Sequence, residues 1–186
     1  MNDYPKFIEV EGKKYPINTD FRIALECDDI FKDSTIGDYE KALAVIYKLF
    51  GEEALEDYKN QNKIFKVAVK YLQCGKAPED LVNDENPSMD FKQDIGFIRA
   101  SFMSDYHIDL DEEKMHWWAF NDLLQGLTEG SILNRVRYIR EEPLSDKKGK
   151  ELDRWLKAKS QVALKKEKTA REEELDKIWE QKMRKE

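Results

Sequence analysis

The apolar residues of this chain change their spacing soon after it begins. Phe7-Ile8-Glu9-Val10 and Lys14-Tyr15-Pro16-Ile17 flank Glu11-Gly12-Lys13, a pattern of two short strands around a glycine-containing turn, with Pro16 limiting the second strand to an edge. Beyond it the apolar positions recur three or four apart, the period of a helix. Thr19 or Asp20 can cap a first helix with Ile23, Cys27, Ile30 and Phe31 on one face. After Gly37-Asp38 a second stripe runs through Tyr39, Ala42, Leu43, Ile46, Leu49 and Phe50, and Gly51 suits the left-handed position past its last turn. Ile64, Phe65, Ala68, Tyr71 and Leu72 make a third stripe closed by Gly75, and Lys76 to Met89, with Pro78 and Pro87, reads as a loop.

The fourth stripe is Phe91, Ile95, Ile98, Phe102 and Tyr106, which predicts a helix from about Asp90, its cap, to Tyr106. Gly96 inside it costs about 1 kcal/mol relative to Ala, and a close neighbour would account for it. Asp109 with Glu112 three positions on forms a capping signature for a helix carrying Met115, Trp117, Trp118, Phe120, Leu123, Leu124 and Leu127. Those residues cover most of its circumference and predict a place at the centre of the core. A shorter helix through Ile132, Leu133, Val136 and Ile139 is limited by Pro143. The fold class expected is mainly α: a helical, bundle-like body with a small N-terminal β-hairpin and a long charged C-terminal helix.

Composition places a boundary inside that picture. Asp146 to Glu186 holds 14 Lys or Arg against 10 Asp or Glu, a net of +4, whereas residues 1–145 hold 18 against 29, a net of −11. The expected organisation is therefore a body over 1–145 and a charged amphipathic helical tail over 146–186. In the tail, Leu152, Trp155, Leu156, Val162 and Ala163 form one apolar patch and Leu175, Ile178, Trp179 and Met183 a second, separated by an almost wholly polar stretch without a sustained heptad seam. The second patch is the candidate protein-binding element. Two readings of it stay open: it seats in a groove of another copy or of a client, or it folds back on the body. The total of −7 argues against nonspecific attraction to nucleic acid or anionic lipid, and the longest purely apolar stretch, Ala42 to Tyr47, is far short of the roughly 20 residues of a membrane span. The opening Met1 to Val10 lacks the pattern of a secretory signal, so a cytoplasmic location with reduced thiols at Cys27 and Cys74 is expected.

The residues that might carry chemistry read better as structural groups. Asp105, His107, Asp109, Asp111 and His116 are the densest set of potential ligands, yet a calcium loop begun at Asp105 would need Gly and Glu where Leu110 and His116 stand. Zinc lacks a third His or a nearby Cys, and the glycines fall singly at turns and helix ends, away from any phosphate-binding loop. No catalytic residue, cofactor or metal is expected, and the chain is read as a non-enzyme. Tyr138 among Arg135, Arg137 and Arg140 resembles a basic aromatic patch for single strands, but the solvated face of a helix is the stronger account.

Met89-Asp90-Phe91-Lys92-Gln93-Asp94, Phe102, Tyr106, Ile108-Asp109-Leu110, Met115-His116-Trp117-Trp118-Ala119-Phe120-Asn121-Asp122-Leu123-Leu124 and Ile139-Arg140 together resemble the phage protein family first described as gene product fifteen of a Gram-positive siphophage. Phe7 to Phe31 is similar as well, and the most specific part is Asp-Leu followed by His-Trp-Trp and Leu-Leu. The resemblance implies a tail assembly chaperone that coats the tape-measure protein, helps recruit major tail protein subunits and is left out of the finished virion; a homo-oligomer is a further partner considered for the chain itself. It implies no catalytic residues. Two rival readings are a structural connector retained in the virion and, less favoured, a nucleic-acid-binding regulator using the basic tail.

Overall fold

Glu11 and Gly12 take positive φ angles of 51° and 77°, the left-handed pair that closes a two-residue hairpin in register with strand twist. The computed structural model describes residues 3–76 and 87–165. Within it, β1 (Phe7–Val10) and β2 (Lys13–Pro16) pair antiparallel with Ile8 opposite Tyr15, so β2 starts one residue earlier than the spacing predicts because the turn needs only Glu11 and Gly12. Ile8, Val10 and Tyr15 point into the core.

Eight helices follow among the described residues: α1 (Phe21–Lys32), α2 (Asp38–Phe50), α3 (Glu52–Leu55), α4 (Gln61–Leu72), α5 (Ile95–Tyr106), α6 (Trp117–Gln125), α7 (Ile132–Glu141) and α8 (Gly149–Val162). The protein is mainly α, as expected. Asp20 caps α1 by accepting from the Arg22 N–H at 3.0 Å. Gly51 ends α2 at φ 77°, ψ −169°, an extended, glycine-only geometry in place of the expected left-handed helical one. Tyr39, counted in the second stripe, is 66% exposed, while Val45 takes a core position on α2.

Two helices begin later than their capping signatures suggest. Asp90 accepts from the Gln93 N–H at 2.8 Å, and its own N–H donates to Asp94 Oδ2 at 3.0 Å, which closes a separate turn before α5. Asp109 accepts from the Asp111 N–H at 2.9 Å and closes another. The chain must then run extended to meet the start of α1, where Phe21 N–H donates to Met115 O at 2.9 Å and Trp117 N–H to Thr19 O at 2.8 Å. Helical φ/ψ at Met115 would break that pairing, so α6 starts at Trp117 with His116 as its cap.

The core closes around α6. Phe120 is fully buried and stacks with Phe21 at 4.7 Å, Phe102 at 5.2 Å and Trp117 at 5.7 Å between ring centres. On α5 the buried face is Asp94, Ile98, Ser101 and Phe102, rotated from the expected stripe so that Ile95 is only half-buried. Gly96 lies on the exposed side, where an added β-carbon would meet open space, and nothing in the fold explains it. Cys27 is fully buried, and burial pushes its thiol up to about 12; Cys74 is half-buried and raised to about 11, mainly by burial.

Candidate protein-binding surface

A concave face of the body is built on α7. Ser131 caps this helix by accepting from the Asn134 N–H at 3.3 Å, and Leu133 and Val136 anchor it inward. The Leu133 N–H donates to the buried hydroxyl of Ser101 at 3.0 Å, which fixes α7 against α5. With that side committed, Arg135 and Tyr138 face outward, and Tyr138 is 58% exposed.

Alongside lies α8, the described part of the basic segment. It is amphipathic, with Leu152, Trp155 and Val162 half-buried, yet none of its side chains is fully buried and Leu156 is 49% exposed. Trp155 meets Tyr138 edge to face at 6.1 Å, and Lys147 lies 5.7 Å from the centre of the indole. Lys147 also holds Glu142 at 2.9 Å; that bond lowers the Glu142 carboxyl and raises the Lys147 ammonium from their ordinary values. An open groove of about 790 Å³ results, with Tyr138, Ile139 and Trp155 as its apolar surface and Arg135, Arg137, Glu129 and Glu141 along it.

Beneath the groove, Arg140 makes a two-pronged ion pair with Asp94, from Nη1 to Oδ2 at 2.6 Å and Nη2 to Oδ1 at 2.8 Å. Their side chains are 10% and 1% exposed. Arg140 Nη1 also donates to Ser88 O at 2.8 Å and Nε to Val162 O at 2.6 Å, while Lys159 Nζ donates to Arg140 O at 2.6 Å. The end of α8 is thereby tied to the body. Gln93 completes the tie by donating to Lys165 O at 3.0 Å and accepting from Lys165 N–H at 2.8 Å. Reading Arg140 as part of a solvated face therefore missed its role. The available signal was Asp94 itself, a charge on the face of Ile98 and Phe102 that burial obliges to find a cation.

The other chemistry-bearing residues are placed apart. Asp105 accepts from the Thr128 N–H at 2.8 Å and hydroxyl at 2.9 Å, and the backbone bond leads the lowering of its carboxyl. His107 ends α5 in a left-handed conformation, exposed, and Asp111 pairs with Arg99 at 2.7 Å. His116 accepts from the Trp118 N–H at Nδ1, 3.0 Å, so Nε2 carries the proton donated to Pro5 O at 2.9 Å. Trp117 and Trp118 donate their indole N–H groups to Leu72 O and Tyr71 O, each at 2.9 Å. The His-Trp-Trp block thus locks the N-terminus, α4 and α6 together. Among the described residues no three His, Cys, Asp or Glu side chains are placed to hold a metal ion, and no helix is long and apolar enough to cross a membrane. Leu175, Ile178, Trp179 and Met183 lie outside the described residues.

Comparison with curated proteins and with solved structures gives no match. The model of the family described as bacteriophage Gp15 protein matches residues 1–164, a span that contains the His-Trp-Trp block, the Asp94–Arg140 pair and both walls of the groove. The chain belongs to the bacteriophage Gp15 protein family.

Proposed function

We propose that this Gp15-family protein is a tail assembly chaperone of a long-tailed phage or prophage. In this reading it works by binding alone, in the host cytoplasm: it covers apolar stretches of the tape-measure protein, helps bring major tail protein subunits to it, and leaves before the virion is complete. Family membership supports a phage role, and the observation that carries the finer reading is the α7–α8 groove. Its floor is fixed to α5, its apolar surface includes an exposed tyrosine, and guanidinium groups line its middle. These features suit an amphipathic helix, whose apolar face the groove would shield from aggregation. A nucleic-acid role draws less support, because Arg140 is engaged by Asp94 and Arg137 donates to Ser88 Oγ at 3.2 Å.

Co-expression with the tape-measure protein tests this. The expected outcome is a soluble complex that Arg135→Glu with Tyr138→Ala weakens, together with absence of this chain from purified particles by mass spectrometry. A tape-measure protein equally soluble without it, with the chain present in particles, would overturn the chaperone reading in favour of a structural connector.

A further inference from the structure

Lys165, the last described residue, is tied to the junction of α5, α7 and α8, two of whose helices form the groove. Lys165 is held by Gln93, the neighbour of Asp94, and Asp94 grips Arg140, whose own neighbours Ile139 and Glu141 line the groove. Residues 166 onward follow in sequence from that tie. Their sequence fits what they would meet. From the turn before α7 and then along that helix, the groove presents Glu129, then Arg135 and Arg137, then Glu141, an acidic-basic-acidic order. Residues 171–185 run broadly in the opposite sense: Arg171, then Glu172 to Glu174 and Asp176, then Lys177, Lys182, Arg184 and Lys185, with Glu180 the one acidic residue inside the last block. Leu175, Ile178, Trp179 and Met183 recur at helical spacing across this block, and the groove's apolar surface is Tyr138, Ile139 and Trp155.

We infer that the groove is the docking site for residues 171–183 of the same chain. Reach permits it: Leu175 lies ten positions beyond Lys165 (175 − 165), a span of up to about 33 Å. Charge complementarity sets the register, and Trp179 is the kind of aromatic anchor that dominates such contacts. Attachment in cis raises the effective concentration of the segment, so weak contacts suffice to keep the groove covered. If the groove also takes a client helix, as proposed above, the segment is an internal competitor and a client must displace it. That consequence rests on the chaperone reading; the docking itself does not.

Limited trypsin digestion of the full-length protein, without any client, separates the two. Cleavage after Lys177 and Lys182, followed by mass spectrometry, should be about tenfold faster in Arg135→Glu with Tyr138→Ala than in wild type, because cleavage follows the undocked population. Cleavage after the exposed Lys59 should stay unchanged and serves as the internal reference. Both substitutions are on exposed side chains, and an unchanged far-ultraviolet circular dichroism spectrum would confirm that the body is intact. Trp179→Ala should reproduce the acceleration with the groove untouched. Equal rates in wild type and variants would overturn the inference. So would protection in the wild type that grows with protein concentration, which would assign the groove to the segment of a second copy.

Discussion

Arg140 and Asp94 face each other through paired hydrogen bonds of 2.6 and 2.8 Å in a site where Asp94 is 1% exposed. The pair joins the start of α5 to the end of α7 and, through Val162 O, to the end of α8. Truncating either side chain leaves the other charge buried and alone. Arg140→Ala or Asp94→Ala should each cost about 3 to 5 kcal/mol in chemical denaturation, whereas Arg140→Met combined with Asp94→Leu should cost far less than the sum. An additive double mutant would show that the two charges are stabilised independently.

The paired tryptophans should respond unequally. Trp117 is 5% exposed and packed on Phe120, so Trp117→Ala should cost about 3 to 5 kcal/mol, while the half-buried Trp118 should cost less. Gly75 offers a finer probe. Its φ is +78°, and a β-carbon there would lie 3.1 Å from Trp118 Cη2. Gly75→Ala should therefore destabilise by about 1 to 3 kcal/mol in wild type and by less in a Trp118→Ala background, where only the backbone strain remains. Urea unfolding of the four proteins in that cycle is the measurement.

Periodicity exposed the hairpin, the helices and the central place of Phe120, because those follow from which residues must avoid water. It failed where a long-range contact overrode a local signal. Asp90 and Asp109 carry sound capping chemistry, but each closes a separate turn: Asp90 with Gln93 and Asp94, and Asp109 ahead of a stretch that the strand-like pairing of Thr19 to Phe21 with Met115 to Trp117 keeps extended. The groove was legible only as its ingredients. Tyr138, Trp155 and the arginines were visible along the chain, yet that Arg140 points inward and that α8 lies along α7 depend on Asp94, forty-six positions away from its partner. Asp94 on an apolar face was the one local sign that such a partner was needed.

Alkaline pH should loosen the fold through Cys27. Burial raises its thiol from 9.0 to about 12, so the native state favours the protonated form more than the unfolded chain does. The stabilisation is fully present below pH 9, and it is lost as pH climbs toward 12; with about 1.36 kcal/mol per unit the total is roughly 4 kcal/mol. Tyr71, also raised by burial, acts in the same direction. Denaturation midpoints should fall between pH 9 and 11, and less steeply in Cys27→Ala. Identical slopes would remove Cys27 as the cause.

Where the chain is cut should matter more than how much is removed. Ending it after Lys165 keeps α8 with its bonds from Arg140 to Val162 O, from Lys159 to Arg140 O and between Gln93 and Lys165. Ending it after Ser145, at the composition boundary, strips all of these and uncovers the Asp94–Arg140 pair. Two lost charge-assisted bonds at about 1.5 kcal/mol each, with about 2 to 4 °C per kcal/mol for a chain of this size, predict a melting temperature about 6 to 12 °C lower for the shorter protein. The longer truncation should lose only what docking of residues 171–183 contributes, because the contacts holding α8 are intact. Trp155 supplies an independent readout: its edge contact with Tyr138 should survive in the chain ending at Lys165, so Tyr138→Ala should shift the indole fluorescence there as it does in the full protein. Equal melting temperatures for the two truncations would mean that α8 contributes nothing to the body, and that the ties through Arg140 and Gln93 only position it.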